Sequence, residues 1–135
     1  MKTHQHRSSL FIVIMDEIGW PHAWCAVRKD LGCLAGLARR SGFRTDLLAE
    51  HLGISTRTLR REFKNALGLC LKDWLVQVRL IEVRIRLRGD ESIGNIALSV
   101  GFSHPKELSR EFTKGYGLTP SEFREKERSR ISRLE

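Results

Sequence analysis

The chain has 135 residues, 41% of them hydrophobic and 30% charged, with a formal net charge of +8 and a pI of about 10.0. That is enough chain for one compact domain and too little for two full ones, and it is too apolar for a disordered segment. The positive balance points to a polyanionic partner, either nucleic acid or an anionic membrane surface, and leaves the choice to the motifs.

Residues 1–22 carry no pattern that assigns a structure. Residues 10–15 are apolar, but the run is short, is closed by Asp16 and Glu17, and lacks a small-residue cleavage site. It is therefore neither a signal peptide nor a membrane span, and it fits a short strand or the last remnant of a domain upstream. Cytoplasmic residence is the resulting expectation. Next come Trp24, Val27, Leu31, Leu34 and Ala38. Their steps of three and four predict an amphipathic helix, which Gly32 and Gly36 weaken by about 1 kcal/mol each. Cys25, Cys33 and Cys70 form no C-x-x-C pair and no even set, so they read as reduced thiols, mostly buried as small hydrophobes.

From residue 45 onward the sequence repeats itself. AEHLGIS at 49–55 matches ALSVGFS at 97–103 with an offset of 48; LRREF at 59–63 matches LSREF at 108–112 with an offset of 49. The second offset holds for Gly68 and Gly117, Leu69 and Leu118, and Trp74 and Phe123, so one residue is added just after the serine. Each copy reads as helix, turn, helix. Thr45 is the predicted cap of a helix carrying Leu47, Leu48 and Leu52; Gly53 supplies the turn; Ser55 caps a helix carrying Leu59, Phe63 and Ala66, which Gly68 closes. In the second copy Ser92 caps a helix with Ile93, Ile96, Ala97 and Val100, and Gly101 turns. Ser103 is then the predicted cap of a helix with Leu108 and Phe112, ended by Gly115 and Gly117. Thr119-Pro-Ser-Glu122 is a capping box that starts a last helix. A single helix-turn-helix pattern is a weak signal, because ordinary packed helix pairs share it. Two copies at a fixed offset on a basic chain are far more specific.

Between the copies, residues 71–88 contain no Gly or Pro before the end and show two apolar stripes. At about 100° per residue, Leu71, Trp74, Leu75, Val78, Ile81 and Ile85 share one side, and Val76, Leu80, Val83 and Leu87 the other. Charged seams separate them, with Lys72, Arg79, Glu82 and Arg86 on one and Asp73, Gln77, Arg84 and Arg88 on the other. The pattern predicts a linker helix gripped by one unit on each face.

The pattern from Leu48 to Lys64, the central Trp74-Leu75, Arg79-Leu80 and Leu87, and the stretches Ile93 to Ser103, Leu108 to Phe112 and Gly117 to Arg124 together resemble the AraC/XylS family of transcription regulators. The resemblance covers residues 45–125. It implies an all-α fold in which two helix-turn-helix subdomains are joined by a central linker helix. It also implies a sequence-specific DNA-binding regulator, usually an activator, whose two recognition helices enter successive major grooves. Its partners would be double-stranded DNA and, as a further candidate, RNA polymerase. The organisation expected is an N-terminal segment at 1–22 and a DNA-binding domain at 23–128. Within that domain the first unit lies at about 45–68, the linker helix at about 71–88, the second unit at about 92–117 and a final helix at about 120–130. The stretch before residue 45 is too short for the sensor domain many members carry. That leaves a single-domain regulator of the MarA/SoxS type or a truncated piece of a ligand-responsive one, with no small-molecule effector site evident.

Major-groove readout needs donors and acceptors near the start of a recognition helix. With Leu59, Phe63 and Ala66 inward, the first helix turns out Thr56, Arg57, Arg60, Arg61 and Lys64. The resemblance implies Arg57, Arg60 and Arg61 as base readers, suited to guanine, with Thr56 and Lys64 nearer the backbone. The second helix departs from the family pattern. It offers His104, Pro105, Lys106, Glu107, Ser109 and Arg110, of which Pro105 has no donor and Glu107 would repel phosphate, though it could accept from a cytosine amino group. This unit is expected to read fewer bases and to act more as a clamp. Ser55 and Ser103, as helix caps, are expected to hold phosphates together with the helix N-termini.

No cofactor, metal or catalytic site is expected. His4 and His6 are too few to hold a metal alone, and no nucleophile or carboxylate pair has motif context. A repair enzyme would need clustered cysteines and a recombinase fragment would need acidic metal ligands, and neither is recognisable. A membrane-surface binder would need apolar faces that this fold uses internally. A non-catalytic protein-interaction role remains the alternative, and salt-sensitive, sequence-dependent gel shifts would exclude it.

Overall fold

Three strands followed by seven helices make up the elements that the computed structural model describes, over residues 11–17, 19–25 and 29–134. The strands are β1 (Phe11–Met15), β2 (Pro21–Cys25) and β3 (Lys29–Cys33), an antiparallel sheet in the order β1-β2-β3. The chain is therefore mostly helical rather than all-α. In β1 the alternation is plain: Phe11 and Val13 are buried while Ile12 and Ile14 face out. The turn into β2 is held by Asp16, whose carboxylate accepts from the Trp20 N–H at 2.8 Å. The His22 ring lies between Asp16 Oδ2, 3.2 Å from Nε2, and Asp30 Oδ1, 3.4 Å from Nδ1, which links that turn to β3.

The helix expected through Trp24, Leu31, Leu34 and Ala38 is thus two strands and the start of a short helix, α1 (Leu34–Arg40); Val27 lies outside the described residues. Gly32 explains part of the outcome, since its φ of +115° is incompatible with a helix. Pairing with β1 explains the rest, because Trp24 sits opposite Ile12 and Ala23 opposite Val13. Of the apolar run at 10–15, Phe11–Met15 form a strand, one of the two readings given for it, and residue 10 lies outside the described residues.

The helices that follow are α2 (Thr45–Leu52), α3 (Thr56–Leu67), α4 (Leu71–Arg86), α5 (Ile93–Ser99), α6 (Pro105–Tyr116) and α7 (Pro120–Leu134). The chain divides between Leu75 and Val76 into two compact units. In the first, β1 packs on α3 and α1 packs on β2 and β3. Its core joins Phe11, Leu34, Leu48, Leu59, Phe63, Leu71 and Leu75. The Phe63 and Trp74 rings lie 5.1 Å apart. In the second, Leu80, Val83, Leu87, Ile96, Leu108 and Phe112 are buried, and Phe112 meets Tyr116 at 4.8 Å and Phe123 at 5.5 Å, both edge-on.

Helix α4 departs from the expected double stripe. Leu71 and Leu75 are buried on one side early in the helix, and Leu80, Val83 and Leu87 on the other side later. Ile81 and Ile85, assigned to the first stripe, are 46% and 58% exposed. Its charged seams are structural in the second unit. Arg84 lies over the rings of Tyr116 and Phe123, Arg86 pairs with Glu91 and donates to Ser99, and Arg88 pairs with Glu127. Arg124, in the last matching stretch, donates to the carbonyls of Leu87 and Glu91 at 2.9 and 2.6 Å and ties α7 to the α4–α5 turn.

The cysteines also differ from expectation. Cys25 and Cys33 are half-buried and Cys70 is exposed, all three as free thiols. Among the described residues no helix is long and apolar enough to cross a membrane, and no group of three His, Cys, Asp or Glu could hold a metal ion. His4 and His6 lie outside the described residues.

Candidate nucleic-acid interface

The second helices of the two repeats, α3 and α6, are each 12 residues long and start 49 residues apart, at Thr56 and Pro105. Both end on a left-handed glycine, Gly68 at φ +78° and Gly117 at φ +75°. The turn before α3 is made by Gly53, also left-handed at φ +75°. Thr45 does not cap α2 as expected. It is the first helical residue, and Arg44 occupies the cap without a side-chain bond while pairing with Asp46.

At the start of α3 the Ser55 hydroxyl accepts from the Thr58 N–H at 3.1 Å and donates to Thr58 Oγ1 at 3.0 Å. This reciprocal cap buries Thr58 beside Leu59 and Phe63 and fixes which face of α3 looks inward. Arg57, Arg60, Arg61 and Lys64 are exposed on the opposite face, and Thr56 is half-buried at the first turn. The four cations stand at spacings of three, four and seven, which makes one stripe. Within it Arg61 Nε donates to the neighbouring Glu62 at 3.1 Å.

In the second unit the cap is His104, not Ser103. The His104 Nδ1 accepts from the Lys106 N–H at 3.0 Å, Pro105 takes the first helical position, and Ser103 lies one residue earlier. The added residue therefore falls before the cap rather than after the serine, and His104 is the counterpart of Ser55. Ser103 plays another part: its N–H and its hydroxyl both donate to Glu107 Oε1, at 2.9 and 3.0 Å. Those bonds, the backbone one first, hold the Glu107 carboxyl below the usual carboxylate range, with Arg79 and Arg110 adding their charge. Glu107 is thereby turned back on the chain through its Oε1.

The 49-residue offset maps Arg57, Arg60, Arg61 and Lys64 onto Lys106, Ser109, Arg110 and Thr113. Lys106, Arg110 and Thr113 are exposed and Ser109 is half-buried. Thr113 was not singled out from the sequence, although carrying the offset one turn further reaches it. Arg110 lies 3.7 Å from Glu111, echoing Arg61 beside Glu62. One stripe carries four cations, and its counterpart two.

A family model described as a helix-turn-helix domain matches residues 48–126. A protein named "Probable transcription factor PqrA", from Proteus vulgaris, is 38% identical over 90 residues, which is 66% of this chain and 74% of that one. The transcriptional activator RhaS of Escherichia fergusonii is 35% identical over 81 residues, 59% of this chain and 29% of that protein. The match thus spans under a third of the length of RhaS. Among solved structures, the DNA-binding domain of the global transcriptional factor AdpA, in complex with a target DNA, superposes with a TM-score of 0.61 at 27% identity, covering 72% of this chain and 91% of that one. An AraC-type regulator from Chromobacterium violaceum superposes with a TM-score of 0.56 at 30% identity, covering 67% of this chain and 85% of that one. The family match takes in both copies of the repeat, and the chain belongs to the AraC/XylS family of helix-turn-helix, DNA-binding transcription regulators.

Proposed function

We propose that this chain binds double-stranded DNA at specific sequences, reads two successive major grooves with α3 and α6, and activates transcription, with RNA polymerase as its protein partner. The observation that carries the reading is the repeated stripe, in which two helices of equal length present donors at matching positions opposite a buried face. In this reading Arg57, Arg60 and Arg61 contact base edges, since arginine pairs bidentately with guanine O6 and N7. Thr56, Lys64 and the N-terminal turn at Ser55 hold phosphates. The second unit works more as a clamp, through His104, Lys106, Ser109, Arg110 and the Ser103 turn, because its stripe has fewer long donors. The His104 Nδ1 is engaged in the cap, which leaves its Nε2 side for a phosphate. Residues 23–128 form the DNA-binding domain in this account.

The test is selection of bound fragments from genomic DNA, followed by anisotropy titrations on the enriched site and on random duplex. Sequence-dependent binding about 10³-fold or more above random DNA is expected. Equal affinity for both would overturn sequence-specific regulation. Inserting about five base pairs between the two half-sites turns one groove away and should weaken binding strongly, whereas undiminished affinity would rule out two-groove reading. Transcription from the selected site with purified polymerase decides between activation and repression.

A further inference from the structure

Each reading helix sets an arginine of its exposed stripe beside a glutamate, Arg61 with Glu62 on α3 and Arg110 with Glu111 on α6, at positions 49 residues apart. In α3 the Arg61 Nε donates to Glu62 Oε2 at 3.1 Å, and in α6 the same two atoms stand 3.7 Å apart. The arginine side chains are 50% and 68% exposed, the glutamates only 17% and 24%. Neighbouring residues on a helix point about 100° apart. The contact therefore requires the Arg61 side chain to bend toward Glu62, which lies half-buried between the stripe and the buried Phe63.

A carboxylate beside a DNA-facing stripe weakens the attraction for phosphate, and here that cost recurs at matching positions in both units. An arginine has five N–H donors, one on Nε and two on each terminal nitrogen, and it reads guanine with two of them in parallel. When Glu62 holds the Nε N–H, the four on Nη1 and Nη2 remain, at the outer end of the side chain. The bond also limits the rotamers of a long, flexible side chain before DNA arrives. Glu62 partly offsets the Arg61 charge as well, which lowers its pull toward phosphates of any sequence.

We propose that Glu62 is a positioning residue for Arg61: it takes the Nε N–H and holds the guanidinium so that its two terminal nitrogens face a guanine. Glu111 does the same for Arg110, more loosely, across the longer gap. This rests on the proposed base reading by α3 and α6 and extends it to two residues that need not touch DNA. In each unit the glutamate lowers affinity for DNA in general and sharpens the choice among bases.

The test is a double-mutant cycle of Glu62→Met and Arg61→Ala, measured by anisotropy on the selected site and on random duplex at fixed salt, with a thermal melt of each variant. Met keeps the length of the side chain and removes the acceptor. With Arg61 present, Glu62→Met should lower the ratio of selected to random affinity by about tenfold, partly through tighter binding to random duplex. In the Arg61→Ala background it should change that ratio by less than about threefold, because Glu62 then has nothing to hold. Glu62→Gln, which keeps an acceptor for Nε, should retain the ratio to within about threefold. Glu111→Met should lower it less than Glu62→Met does. An unchanged ratio in Glu62→Met, or an equal loss in the Arg61→Ala background, overturns the proposal. Should Glu62→Met fail to fold, Glu62→Gln still decides, since a loss of about tenfold there would mean that charge rather than the bond to Nε directs Arg61. Arg61→Ala alone tests the base reading. Equal losses on both duplexes overturn that reading, whereas a selective loss beside a silent Glu62→Met overturns only the role of Glu62.

Discussion

Helices α3 and α6 are the same length, end on the same left-handed glycine and bury a phenylalanine at the same position, yet they present different surfaces. The first starts from a serine–threonine cap and exposes Arg57, Arg60, Arg61 and Lys64. The second starts from a histidine cap, spends a glutamate on Ser103 and exposes Lys106, Arg110 and Thr113 around a half-buried Ser109. Buried positions are constrained by packing on their neighbours, whereas exposed ones are free to diverge. The repeat therefore preserves the scaffold while the two exposed faces differ, which in the proposed function gives the two units unequal shares of recognition.

The largest effect that sharpens this comparison is salt. If the complex makes on the order of six to ten phosphate contacts, affinity for the selected site should fall about 10³–10⁵-fold between roughly 50 and 200 mM salt. Neutralising Lys64 should lower the slope of log affinity against log salt by about 1. Replacing Thr113, its uncharged counterpart, with alanine should leave the slope alone. A flat salt response would remove the DNA reading from both units.

Next in size are the buried rings. Phe63→Ala and Phe112→Ala should each cost about 3–5 kcal/mol in urea denaturation. Phe112 should cost more, because it contacts both Tyr116 and Phe123 while Phe63 stacks on Trp74. The reverse order would mean that the aromatic cluster of the second unit contributes less than its geometry implies.

Sequence choice is where the two helices should differ most clearly. Arg57→Ala, Arg60→Ala and Arg61→Ala should each lose about 1–3 kcal/mol on the selected site and much less on random DNA. Ser109→Ala, at the position matching Arg60, should lose less and change little in base preference. Equal losses on specific and random DNA for the three arginines would assign them to phosphate.

The smallest effect separates the caps. Ser55→Ala should cost about 1 kcal/mol, with no acid-dependent component. The cap region of α6 depends on Glu107, whose carboxyl is held below its ordinary value in the folded chain. Its contribution is therefore present above the ordinary glutamate range and is lost as pH falls through the depressed value. A melt series from pH 6 down to about 3, comparing the chain with Glu107→Gln, should show an acid-side loss that the variant lacks. Parallel curves would show that the Ser103–Glu107 bonds do not stabilise the fold.

Much of this was legible in the residues because it is local. The glycines at 53, 68 and 117 adopt the positive φ that their turn positions imply. Ser55 and Ser92 cap as read, and Thr119 and Glu122 exchange the two bonds of a capping box, at 3.1 and 2.9 Å. The outward faces of the reading helices followed from the apolar residues opposite them. Reading missed β2 and β3, since steps of three and four through Trp24 to Ala38 fit a helix and pairing with β1 leaves no mark on local spacing. It also missed the shift of the cap to His104, because the serine that repeats in sequence is not the residue that repeats in space.

By itself the sequence determined the helical repeat, its turns and the stripe of donors on α3, since each depends on contacts within a few residues and on the 3.6-residue period. Tertiary structure alone decided that β1, β2 and β3 form a sheet and that Ile81 and Ile85 stay exposed. Those outcomes turn on long-range strand pairing and on which side of a two-faced helix finds a neighbour. Local periodicity is silent on both.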